Sequence, residues 1–355
     1  MITQLEAVNV GPFDHTGVSL DLKPLTIIIG PNNVGKSSLI YAYDIVANSR
    51  FPALHIRTFE NLESFIYMKD PLNLGKISVN YVGAKNSNVH IVANININKQ
   101  PKFEYYVNGK APTNQNSEEE RQDYPEAHLF LQRTTYLLSN RSFVSPSIGI
   151  NIGDENEADA LDSAGSNIIQ FLLFKWTNRD PNWQDAEYWL KKIDPYLNIL
   201  KAPLKAGRAS LITERQFESK SLDVNVALQG SGIQRALQII SALVFTPKNS
   251  CIIIEEPEMN LHPKAQEVIA DLINKAVNEW GKQVIFTTHS LNMLLPYASD
   301  MGFATERSKK EHIIADKEKV ALCVLEYKDG TVSARNDVKY SKFTEFKIDM
   351  KKIWG

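Results

Sequence analysis

Residues 30–37 read Gly-Pro-Asn-Asn-Val-Gly-Lys-Ser, and no other stretch narrows the possible folds of this chain so strongly. The spacing G-x-x-x-x-G-K-[ST] predicts a loop whose backbone N–H groups face phosphate oxygens, provided a strand precedes it and a helix follows. Both are legible. The run 18–29 (VSLDLKPLTIII) is rich in branched residues, reads as a strand and ends apolar, and helical character extends from about Lys36 to Asn48. Gly30 and Gly35 let the chain curl, and the helix N-terminus adds its positive end. The candidate cofactor-binding residues here are Gly30, Asn32, Asn33, Gly35, Lys36, Ser37 and Ser38. Lys36 is expected to bridge the β- and γ-phosphates of ATP, and Ser37 to ligate Mg²⁺.

Two later runs are built to meet that loop. Cys251-Ile252-Ile253-Ile254 is an apolar strand that ends in Glu255, Glu256 and Pro257. In a parallel sheet, ligands collect beyond the carboxyl ends of the strands. Glu255 is therefore expected to support Mg²⁺, generally through water, and Glu256 to orient and deprotonate an attacking water. Paired acids after a strand also occur as plain surface turns, so they carry little weight alone. The run 284–290 (VIFTTHS) is a further strand, and His289 closes it. A lone histidine is usually structural; at this end of a sheet it is placed to touch a γ-phosphate.

Elsewhere the chain alternates strands and helices in its first and last portions, which predicts an α/β core. Short β-rich runs between Lys76 and Val107 read as an antiparallel meander. Residues 113–126 read as an exposed polar loop leading into a helix, and a strand follows at Thr134–Leu138, stopping at Ser139-Asn140-Arg141. Residues 157–200 turn helical, with Trp176, Trp183 and Trp189 spaced as packing residues. The acidic stretch 154–162 reads as a helix start and not as a metal site. Two strands, 210–217 and 221–228, precede a Gly-Ser-Gly break at 230–232 that opens a helix to about Phe245.

With 43% hydrophobic residues and a net charge of −2, the chain has ample core material and lacks a wholly basic surface; this leaves DNA binding open. Cys251 and Cys323 lie in apolar runs and are expected to be buried, reduced thiols. The first residues do not resemble a signal peptide, and no apolar run approaches the roughly 20 residues of a membrane span, so a cytoplasmic protein is expected.

The stretches GPNNVGKSS, LQGSGIQR, IIIEEPEMNLHP and TTHS together resemble the ABC-type ATPase heads of the SMC, RecF and OLD families, within the "AAA family ATPase" group. The wording EEPE-x-x-LHP is most similar to OLD-type ATPases of bacterial defence systems. The resemblance implies an α/β P-loop NTPase head with a mainly parallel core sheet, an antiparallel meander and a smaller helical lobe. It divides the chain into lobe I (1–140 and 246–355) and a helical, signature-bearing lobe II (141–245). It also implies that Ser231 and Gly232 contact the γ-phosphate held by an opposite subunit, that Asn260 lies in the D-loop, and that His289 is the switch histidine. Gln132 lies near the expected place of a Q-loop glutamine, and Glu255 stands where an Asp is commoner.

Two familiar attachments are not expected. The interval between Arg141 and Gly230 carries no sustained heptads, so no long coiled-coil arm is expected. The chain beyond His289 is too short for a Toprim nuclease domain and reads as a terminal hairpin plus a short helix. These features lead to the expectation of an ATPase that dimerises head-to-tail on ATP and gates a separate effector such as a nuclease or toxin, plausibly in anti-phage defence. A RecF-like DNA-repair ATPase and a non-hydrolysing ATP-bound scaffold are the competing readings. No membrane partner is expected.

Overall fold

A computed structural model describes residues 1–47, 74–83, 87–96, 101–111, 118–139, 144–150, 160–217, 220–297, 317–328, 330–339 and 343–354. Asn48, Asn140, Arg141 and most of the acidic stretch (154–159) lie outside the described residues. In chain order the elements are β1 (Ile2–Val8), β2 (Val18–Asp21), β3 (Leu25–Ile29), α1 (Lys36–Ala47), β4 (Gly75–Val82), β5 (Asn88–Ile95) and β6 (Lys102–Val107). Next come α2 (Glu118–Gln132), β7 (Thr135–Leu137), β8 (Ile148–Gly149), α3 (Ile168–Thr177), α4 (Trp183–Ile193) and β9 (Leu197–Lys201). Strands β10 (Leu204–Lys205), β11 (Arg208–Ala209), β12 (Ile212–Phe217) and β13 (Lys220–Asn225) lead to α5 (Ser231–Phe245), β14 (Cys251–Glu255), α6 (Pro263–Asn278) and β15 (Gln283–Thr287). The described chain ends with α7 (Leu291–Leu294), β16 (Val320–Lys328), β17 (Thr331–Arg335) and α8 (Phe343–Trp354).

The central sheet has the order β17-β16-β3-β15-β14-β7, and only the β16–β17 pairing is antiparallel. Parallel strands covered on both faces favour apolar side chains at nearly every position, which is why CIII is a continuous run and LTIII is broken only by the buried Thr26. Alternate residues divide between two cores. Leu25, Ile27, Ile29, Ile252, Ile254, Val284 and Phe286 pack with α3–α6, while Ile28, Ile253 and Ile285 pack with α1 and the meander. Truncating any of these to Ala is worth roughly 2–5 kcal/mol.

The expected meander is present and larger than its own three strands. β1 and β2 join it in a five-stranded antiparallel sheet of order β2-β1-β4-β5-β6. Among the described residues, the stretch 141–245 carries α3, α4 and α5 and also two small antiparallel sheets, β13-β12-β9 and β10-β11-β8. Trp183 and Trp189 are buried in its core as packing residues, and Trp176 meets Trp183 edge-on at 5.0 Å. The polar segment reaches less far than the sequence suggested, because α2 already begins at Glu118 and carries Pro125 within it. Its run Glu-Glu-Glu-Arg-Gln is made of good helix formers, which outweigh their polarity.

Cys251 and Cys323 are free and buried, and burial pushes both thiols up to about 12. Among the described residues no helix is long and apolar enough to cross a membrane.

Candidate functional site

The parallel register puts the carboxyl ends of β3, β15 and β14 side by side, with Ile28 opposite Thr287 and Thr287 opposite Glu255. The loop after β3 therefore lies beside His289 and next to the paired acids. Sequence-distant groups are brought to one edge by three strands that sequence alone could not order.

The loop itself needs its glycines. At Gly35 φ is +103°, and an added Cβ would lie 2.5 Å from Cγ of Pro12. Asn33 adopts φ +63°, a left-handed conformation that asparagine tolerates better than most residues. The Lys36 side chain is 8% exposed and folds back to donate to the carbonyl oxygens of Gly30 (2.9 Å) and Pro31 (2.8 Å). Burial lowers its ammonium to about 8, against the pull of the carboxylates of Glu256, Glu255 and Glu258. Ser37 is exposed and Ser38 half-buried at the start of α1.

Glu255 is buried at the end of β14, and its Oε2 accepts from the backbone N–H (3.1 Å) and hydroxyl (3.3 Å) of Ser139. Glu256 turns the chain with φ +44°, a costly value for a residue with a Cβ. That turn is held from both sides. Its N–H donates to the Thr287 carbonyl (3.0 Å), and its own carbonyl accepts from the Arg235 guanidinium (2.8 Å). The result aims the carboxylate at the histidine, with Oε1 lying 3.8 Å from Nε2 of His289. Burial, then the nearby Lys36, lowers the His289 imidazole to about 4, so it is neutral near pH 7.

Ser231, Gly232 and Asn260 form a second group. Gly230 caps α5 with no side-chain bond, leaving the helix N-terminus to Ser231 and Gly232. A Cβ on Gly232 would sit 2.8 Å from the Asn260 carbonyl oxygen, so these two segments touch within one chain. Asn260 is exposed, with φ +63°.

Gln132 does not reach the loop. β7 runs parallel to β14, with Ile252 opposite Thr135, so Gln132 at the end of α2 lies at the amino end of the sheet, away from the loop. The residue that leaves β7 toward the site is Ser139. Nothing local in the sequence distinguishes one end of a three-residue strand from the other.

Three further residues belong to the arrangement. Arg235 is buried in α5 and donates to the carbonyls of Ser139 (3.2 Å), Glu255 (3.3 Å) and Glu256 (2.8 Å), tying the helix that begins at Ser231 to the acids. Its signal was a lone cation inside the apolar helix SGIQRALQIISALVF. The part-buried Glu258 accepts from the His289 backbone N–H at 2.7 Å, and burial raises its carboxyl. Tyr327, from β16, donates its hydroxyl to the Asn33 carbonyl at 2.8 Å.

The donor set suits magnesium. A hydroxyl and a carboxylate are hard oxygen ligands, and that ion is commonly shared between one or two protein oxygens, water and phosphates. Among the described residues no cluster of three or more His, Cys, Asp or Glu groups could hold a metal unaided.

Solved structures carry the same fold at low identity. The SMC head bound to the C-winged helix domain of ScpA is 14% identical with TM-score 0.64, covering 98% of this chain and 99% of that one. The Smc head with a coiled coil and joint from Pyrococcus yayanosii is 10% identical with TM-score 0.60, covering 99% of each. In sequence, the energy-coupling factor transporter ATP-binding protein EcfA2 of Staphylococcus saprophyticus is 26% identical over 166 residues, which is 42% of this chain and only 56% of that protein. The fold is therefore that of an ABC-like P-loop ATPase head, and among the described residues no coiled-coil arm is present. A family profile matches residues 25–294, from the strand that feeds the phosphate loop to the helix after His289, and the chain belongs to that family, described as "AAA domain, putative AbiEii toxin, Type IV TA system".

Proposed function

We propose that the chain is a cytoplasmic, ATP-hydrolysing switch that pairs head-to-tail with a second copy and gates a separate effector. The observation that carries this reading is the meeting of Lys36, Glu256 and His289 at one edge of the sheet, with the last two 3.8 Å apart. In the proposed reaction Glu256 orients a water and takes its proton as the oxygen attacks the γ-phosphorus, and ADP departs. Lys36 exchanges its two loop carbonyls for the β- and γ-phosphate oxygens. His289, neutral, donates a hydrogen bond to the γ-phosphate as charge develops there. Ser37 and Glu255 would hold magnesium, which would neutralise phosphate charge.

The same reading assigns Ser231, Gly232 and Asn260 to the partner's nucleotide. A helix N-terminus without a side-chain cap presents N–H groups and a positive dipole, and within its own chain those groups have no phosphate to meet. A two-fold axis would supply two. Residues 1–140 and 246–355 would then act as one lobe and 141–245 as the other, with Arg235 carrying motion between them. Gating of a partner protein in anti-phage defence is in keeping with the family's toxin-system description and with an SMC head of the same fold solved bound to the C-winged helix domain of ScpA.

Phosphate release tests the chemistry. The wild-type protein should hydrolyse ATP with Mg²⁺ and stop on chelation, and Lys36→Ala should weaken ATP binding by at least about tenfold, the loss of a charge-assisted contact. Hydrolysis that survives chelation or Lys36→Ala would contradict it.

A further inference from the structure

Strand β16 pairs with β3 only as far as Val324 opposite Ile29, yet it continues to Lys328. Its last four residues therefore run alongside the phosphate loop and not alongside the strand. The contact is close. A Cβ at Gly30 would lie 2.6 Å from the Leu325 carbonyl oxygen and 3.2 Å from Leu325 Cβ, so position 30 must be glycine because of β16 as well as the phosphates. Two residues on and on the same face, Tyr327 keeps its ring 55% exposed while its hydroxyl donates to the Asn33 carbonyl at 2.8 Å. Leu325 and Tyr327 both lie beyond residue 294, where the family match ends.

We propose that Tyr327 is a positioning residue for the nucleotide: its hydroxyl holds Asn33 in the left-handed conformation that turns the loop N–H groups toward phosphate. This rests on the reading of residues 30–37 as the ATP site. A non-glycine residue at φ +63° is held only where its surroundings favour it, since the left-handed region costs about 1–2 kcal/mol. The carbonyl of Asn33 is the handle on that peptide, and the Tyr327 hydroxyl grips it. An exposed aromatic ring kept at the loop by one hydrogen bond contributes little to the core, so its effect falls on the loop.

Tyr327→Phe removes the hydroxyl and keeps the ring, and Tyr327→Ala removes both. Calorimetric ATP titration in Mg²⁺ should show Tyr327→Phe weakened roughly three- to tenfold, the scale of one net hydrogen bond, with Tyr327→Ala no better. KM for ATP should rise by the same factor while kcat stays within about twofold. Nucleotide-free melting temperatures should match wild type, and the stabilisation produced by ATP should shrink. Wild-type affinity in Tyr327→Phe would overturn the proposal, including the case where only Tyr327→Ala is impaired, which would assign the effect to the ring. Failure of the wild-type protein itself to bind ATP would overturn the underlying reading along with it.

Discussion

Lys36 is pulled two ways. Burial disfavours its charge and brings the ammonium down to about 8, while Glu256, Glu255 and Glu258 resist. Phosphates would favour the charged form further, so ATP binding is coupled to proton uptake once the free side chain has titrated. The sign follows directly. Below about pH 7.5 the free and bound lysine are both charged and affinity is flat; above about pH 8 affinity falls by up to tenfold per pH unit until the bound-state pKa is passed. Titrations of ATP binding across that range check this, and affinity that stays level to about pH 10 would contradict it. His289, lowered to about 4, contributes nothing to that slope. The residues of the phosphate loop and the two acids were legible in sequence because phosphate chemistry demands fixed spacing next to a strand. Arg235 and Glu258 stood inside quoted motifs without a role, since their partners are backbone groups of other segments. Tyr327 gave no signal at all; its reach to Asn33 depends on strand register.

Among the elements, α5 does two jobs. Its N-terminus offers Ser231 and Gly232, and one turn later Arg235 grips the carbonyls behind both acids. At its other end the buried Lys282 donates to the Leu243 and Val244 carbonyls, capping the helix. Arg235→Met keeps the length and apolar stem but strands three carbonyls. It should cost about 2–4 kcal/mol in urea unfolding and lower hydrolysis at least about tenfold while ATP still binds. An unchanged midpoint and unchanged turnover would remove Arg235 from the account. Apolar runs announced the central strands, and the Gly-Ser-Gly break announced α5. The pairing of β1 with the meander and the side on which Gln132 falls were not legible, because both are set by long-range register, which composition does not encode.

For the whole molecule, the formal charge of −2 is neutral on nucleic acid, so the central claim rests on the nucleotide site. One chain brings Lys36, Glu256 and His289 to one edge of the sheet and sets the N-terminus of α5 against Asn260. In the proposed dimer, two copies arranged about a two-fold axis would complete each other. Glu256→Gln is the most direct probe, because it removes the base and keeps size and shape. In solution with Mg²⁺ and ATP, light scattering should find the variant at twice the 40.1 kDa chain mass with ATP retained, and phosphate release reduced by about 10²–10⁴-fold. A variant that stays monomeric at saturating ATP, or that hydrolyses as fast as the wild type, would contradict the central claim.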